Sequence, residues 1–200
     1  MNEHFRTILG GVFLSLLIEA PCDAGEILGT NTIVAIDPAS GGMIELISTV
    51  YELPGNWARY EYKVTNSSFD PDPPLTNGFS GLHLTLTIGP FYEDFFAPEG
   101  WSFSFVPGKQ LHFEIPFDEG FGVAIGEFGV FGFNSNVQGF FQWFGNTGNS
   151  HNVEGVTNSF SLRDIDSGAR PLVPIPTPGV AAVLIGVYLV GGLRCRRRSG

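Results

Sequence analysis

The chain has 200 residues, room for one domain of ordinary size with short processing segments at its ends. Aromatic residues make up 14% of it and charged residues only 15%, while 27 glycines and 14 prolines interrupt it. That composition excludes both a disordered polar chain and a helical bundle. The formal net charge of −10 excludes a nucleic-acid partner, because phosphate contacts need clustered Lys and Arg.

Residues 1–24 read as a secretory signal helix. Arg6 supplies the basic start, and Ile8 to Ile18 is an uninterrupted apolar run but for Gly and Ser. Cys22 and Ala24 then stand at the small-x-small spacing a signal peptidase needs, so cleavage is expected after Ala24.

Residues 25–172 are expected to form the mature domain. Five basic side chains there face 17 acidic ones. The segment has no cysteine, since Cys22 and Cys195 lie outside it, so no disulfide can brace it. Apolar packing must hold it together, with a bound metal ion as the alternative staple.

Period-two alternation recurs along this body. Thr32 to Asp37 and Met43 to Leu53 predict the first strands. Trp57 to Thr65 puts Ala58, Tyr60, Tyr62 and Val64 on one face and Trp57, Arg59, Glu61, Lys63 and Thr65 on the other. Leu82 to Ile88 points Leu82, Leu84, Leu86 and Ile88 inward, with His83, Thr85 and Thr87 outward. Trp101 to Val106 and Lys109 to Phe117 flank Pro107-Gly108, a type II turn signal, and predict a hairpin burying Leu111, Phe113, Ile115 and Phe117. Val156 to Leu162 adds a further strand. With no sustained helical period, the fold class is all-β: an antiparallel β-sandwich of about seven to nine strands.

Gly120 to Gly148 interleaves seven phenylalanines and Trp143 with many glycines. Glycines that let sheets approach closely while Phe fills the core explain it. The functional alternative is an aromatic platform for sugar rings, with Trp143 and Phe144 as the glycan contacts.

Reactive constellations are sparse. His83 and His112 lie on outward faces without a His or Cys at metal-ligand spacing, so no metal site and no catalytic residue is assigned. Asp70-Pro71-Asp72 and Glu93-Asp94 are the candidate Ca2+ ligands, though not at EF-hand spacing. Gly78-Phe79-Ser80-Gly81-Leu82 misses the nucleophile elbow, because Leu82 replaces its second glycine. The acidic residues leave a hydrolase acting on polysaccharide as an alternative, with no particular pair singled out.

The C-terminal segment, 173–200, carries the most specific pattern. Val173-Pro174-Ile175-Pro176 is rigid and extended, because each proline fixes its own φ and biases its predecessor away from helix. Gly179 to Leu193 holds no charge and is expected to be a single transmembrane helix. Arg194, Arg196, Arg197 and Arg198 follow and form a cytoplasmic basic stop, which leaves the body outside the inner membrane. Fifteen helical residues span about 22 Å, short of a hydrocarbon core of about 30 Å. Eight Val, Leu and Ile residues contribute only about −4 kcal/mol in total. Such an anchor suits transient residence.

Pro-x-Pro, short apolar helix and arginine cluster together resemble a PEP-CTERM sorting signal, with Ile175 where the namesake pattern has Glu. The resemblance implies an exported protein of a Gram-negative bacterium, processed by an exosortase-like membrane protease and delivered to the cell surface or extracellular polysaccharide. Tyr60-Glu61-Tyr62-Lys63-Val64-Thr65-Asn66 also resembles a strand common in the exported bodies of that family. The resulting expectation is a non-enzymatic surface or matrix protein without a cofactor. A secreted carbohydrate-binding module is the main alternative.

Overall fold

The computed structural model describes residues 25–70, 78–106, 110–115, 122–143, 145–151 and 157–175. The chain is β-rich throughout these residues, with one 3-10 turn at Pro54–Asn56. Its first sheet contains β1 (Ile27–Ile36), β2 (Met43–Leu53), β3 (Trp57–Asn66), β8 (Phe128–Ser135) and β5 (Tyr92–Phe96), in that spatial order. The second contains β11 (Thr157–Ser161), β10 (Thr147–His151), β4 (Gly81–Thr85), β7 (Gln110–Glu114) and β6 (Ser102–Val106). A small third sheet pairs β12 (Leu172–Pro174) with β9 (Phe140–Gln142). Neighbouring strands are antiparallel in all three.

The long strands follow the alternation in their sequences. Ile44, Leu46, Ser48 and Val50 of β2 lie buried beside Ala58, Tyr60, Tyr62 and Val64 of β3, the face expected to be inward. Leu82, Leu84, Leu111 and Phe113 line the inner face of the second sheet. The expected hairpin forms, with Ser102 opposite Glu114 and Val106 opposite Gln110. Pro107-Gly108 and Phe117 lie outside the described residues. Strand β4 is shorter than its pattern: it stops at Thr85, and Ile88, expected inside, is 65% exposed. Thr85 explains the stop. Its N–H donates to the Asn146 side-chain oxygen at 2.8 Å and its hydroxyl to Gly145 O at 3.0 Å, so a loop replaces the sheet ladder there.

Five of the twelve strands, β5, β8, β9, β10 and β12, carry no alternation that identified them in advance. β8 reads Phe-Gly-Val-Phe-Gly-Phe-Asn-Ser and buries Phe131 and Phe133 completely. The glycines here make room for rings. A Cβ on Gly132 would collide with the Phe96 ring and the Tyr60 carbonyl, and one on Gly148 would lie 2.7 Å from Phe160 and 2.8 Å from Phe79. Of the described rings in the Gly/Phe segment, Phe131 and Phe133 are core, Phe140, Phe141 and Trp143 pack partly buried against it, and Phe128 is exposed.

Both sheets contribute to one core, and aromatic rings join them. Phe113 of β7 meets Phe131 of β8 at 5.5 Å between centroids, and Phe105 of β6 meets Phe95 of β5 at 5.3 Å. Trp101 packs edge-on against Phe131 at 4.7 Å. Each such pair contributes about 0.5–1.5 kcal/mol beyond the area it buries. In a body without cysteine, these ring contacts supply cross-links that a disulfide would otherwise provide.

Three polar side chains on the inward face of strand β3 find partners for their buried tips. The Tyr60 hydroxyl donates to Val137 O and Gly139 O, both at 2.9 Å. The Tyr62 hydroxyl donates to Leu172 O at 2.7 Å. Asn66, fully buried, donates to Phe69 O and Val123 O, each at 2.8 Å, and accepts from the Phe69 N–H at 2.7 Å. Burial pushes both tyrosine hydroxyls far above their ordinary pKa, so they remain donors. The Tyr-x-Tyr-x-Val-x-Asn spacing places three polar tips on one inward face, and each one pins a different loop or strand.

One of those pinned segments is the last described stretch, at residues 170–175. The Leu172 N–H donates to Ser48 Oγ at 3.1 Å while its carbonyl accepts from Tyr62. Asn31 donates to Arg170 O at 2.6 Å, and Thr87 Oγ1 donates to Pro174 O at 3.0 Å. Further back, the Val34 N–H donates to Asp164 Oδ2 and Val34 O accepts from the Ile165 N–H, which covers part of the open edge of β1.

Candidate functional site

The described residues bring one chemically distinctive group together, on the outer face of the second sheet. The β4–β7 register sets His83 directly opposite His112, and Gly81 opposite Glu114. Glu114 and His112 are two residues apart, so both side chains stand on one face. Gly81 presents no side chain to Glu114, which reaches diagonally to His83 instead. The His83 Nε2 to Glu114 Oε1 distance is 2.5 Å. The two imidazoles stack with centroids 4.0 Å apart and planes at 11°. A Gln110 side-chain oxygen lies 2.8 Å from His112 Nε2 and orients that ring. Burial, and then the neighbouring His83, hold the His112 pKa below the usual imidazole value, with Glu114 opposing them. One potential ligand atom from each of the three side chains lies within 4.8 Å of the other two. Linear spacing could not reveal this group, because 28 residues separate the histidines in the chain.

The other expected ligands do not gather. Among the described residues, Asp70, Glu93 and Asp94 belong to no group of three metal-capable side chains. Asp94 instead accepts from Asn134 Nδ2 at 2.8 Å. Asp72 lies outside the described residues.

Of the two expected glycan contacts, Trp143 is among the described residues. Trp143 is partly buried against the core and packs edge-on to Phe141 at 5.2 Å. Phe144 lies outside the described residues. Among the described residues, the rings most open to solvent are Phe91 (70% exposed), Phe128 (61%) and Phe103 (50%). Phe91 borders a cleft of about 390 Å³ that also has Thr87, Ile88, Tyr92 and Phe105 in its walls. The Lys63 ammonium sits over Phe128, 4.5 Å from the ring centre.

The sorting motif is divided. Val173 and Pro174 belong to β12 and are buried, so the strand straddles the boundary expected between 172 and 173. The Ile175 N–H donates to Gly139 O at 3.1 Å. Pro176, the basic stop at Arg194, Arg196, Arg197 and Arg198, and the signal with Ala24 all lie outside the described residues. Among the described residues no helix is long and apolar enough to cross a membrane.

No protein-family model, curated protein or solved structure matches this chain.

Proposed function

We propose that the chain is a non-enzymatic exported protein whose β-sandwich body is delivered to the cell surface or extracellular matrix by an exosortase-type system. Residues 1–24 direct export and are removed after Ala24. Residues 179–193 hold the body briefly in the inner membrane as a short helix, with the four arginines on the cytoplasmic side. The observation that carries this reading is the order Val173-Pro174-Ile175-Pro176, uncharged run, arginine cluster. Its position relative to the fold supports it: among the described residues β12 and the Ile175 N–H make the last sheet-like contacts, and the uncharged run starts four residues later in the sequence.

The test is a pair of alkaline phosphatase fusions, one after residue 175 and one after Gly200. Activity from the first and none from the second is expected, since the enzyme matures only outside the cytoplasm. Cytoplasmic placement of the first fusion ends the proposal. Intact-mass measurement of protein recovered from the medium then identifies which end segments have been removed.

Carbohydrate binding is a second reading, favoured by the cleft beside Phe91, where an exposed ring stands among Thr87, Ile88, Tyr92 and Phe105. Pull-down on extracellular polysaccharide should weaken with Phe91→Ala and with Trp143→Ala. Equal binding by both variants and the parent, or none by any of them, removes this reading.

A further inference from the structure

We propose that His83, His112 and Glu114 form a binding site for a divalent transition-metal ion of the zinc type. Three observations converge on it. The ligand set is right: two imidazoles and one carboxylate are a recurrent three-residue set for zinc, with a fourth position left for water. The placement is right: the atoms come from adjacent strands in the middle of the second sheet and already lie within 4.8 Å of one another. Zinc bonds of about 2.0–2.2 Å require them to close further, and side-chain torsions alone can do this because the three side chains share one face.

The surroundings leave room for that closure. Glu114 stands between Gly81 on β4 and Ser102 on β6, and His112 has Ser104 as its β6 neighbour. Gly81, Ser102 and Ser104 are small, so the register neighbours of Glu114 and His112 named here do not crowd the ligands. Gln110 supplies the outer hydrogen bond that commonly orients a metal-binding histidine. A plain His83–Glu114 ion pair accounts for two of the residues. It gives no reason for a second imidazole to stack on the first at 4.0 Å, whereas a shared ion does.

The ion would tie β4 to β7. Those strands are separated by 24 residues between Thr85 and Gln110, and no cysteine in the body can cross-link them. His83 is mostly covered, its side chain 13% exposed, and the site meets solvent on the Glu114 side, where the carboxylate side chain is 38% exposed. Its open position is therefore accessible to water or to a donor group on a partner.

The full chain, purified without a histidine tag and stripped with chelator, should bind one equivalent of Zn2+ in a calorimetric titration. Co2+ in its place should give the visible absorption of a site with few ligands. Saturating Zn2+ should raise the melting temperature by several degrees, because only the folded chain presents all three ligands. His112→Gln and Glu114→Gln should each weaken zinc binding at least about tenfold, as loss of a ligand does. His151→Gln serves as the control and should bind like the parent. Circular dichroism melts without metal identify any variant that fails to fold, and a variant that does is replaced by His112→Asn. Absence of saturable binding in the parent overturns the proposal, as does binding unchanged in a folded His112 variant.

Discussion

Replacing Tyr62 with phenylalanine tests the central claim about how the C-terminal end of the body is held. The ring is fully buried and its hydroxyl donates to Leu172 O at 2.7 Å. Phenylalanine keeps the ring and its packing against Phe133, 6.1 Å away between centroids, so the change isolates one hydrogen bond. A neutral hydrogen bond contributes about 0.5–1.5 kcal/mol net, and a buried group stripped of its partner costs about 1–3 kcal/mol. Because Leu172 is itself buried, a loss of about 2 kcal/mol is expected. For a domain of about 150 residues that corresponds to a fall of about 4–8 °C in melting temperature. Chemical denaturation gives the free energy, and hydrogen exchange at residues 172–175 should speed up in the variant. Tyr51→Phe, on the outer face of β2, should change stability by less than about 0.5 kcal/mol. If Tyr62→Phe is as stable as the parent and exchange at 172–175 is unchanged, β12 is held by something other than this bond.

Other consequences follow from the same packing. Asn66→Ala removes three buried hydrogen bonds at once and should destabilise the body by about 3–4 kcal/mol in denaturant titrations. Gly148→Ala places a methyl group against Phe79 and Phe160 and should cost about 1–3 kcal/mol through overpacking, measured the same way. The Asp164 carboxylate accepts from the Ser167 and Val34 N–H groups, the Ser167 hydroxyl and the Asp166 N–H, which lowers its pKa to about 2. The turn it organises is therefore favoured above the unfolded carboxyl value of 3.8 and loses that support as pH falls through about 2. A carboxyl carbon chemical-shift titration showing a midpoint near 3.8 would contradict this. Tyr60 and Tyr62, raised by burial, favour the folded state below the ordinary phenol value of 10.0 and oppose it as pH rises further. Ultraviolet titration should show them ionising only together with unfolding.

Much of the fold is legible in the strands themselves. β2, β3, β4 and β7 announce themselves because one face of each is buried, and burial on one face of a pleated strand writes itself as alternation. β9 and β12 do not, because three residues are too few to display a period; β5 and β10 read Tyr-Glu-Asp-Phe-Phe and Thr-Gly-Asn-Ser-His, with no apolar–polar alternation to read. β8 hides behind its glycines, which appear as breakers in sequence but are spaces for Phe96 and other rings in the fold. Ile88 misled because a loop carried by Asn146, 58 positions away, ends its strand first.

The ends of the chain are a different case. An apolar run followed by arginines has a meaning set by local chemistry, because charge and hydropathy act on a membrane without any tertiary partner. The meeting of His83 with His112 depends wholly on register. A slip of one residue between β4 and β7 would put the two imidazoles on opposite faces of the sheet, so only the assembled fold could bring them and Glu114 together.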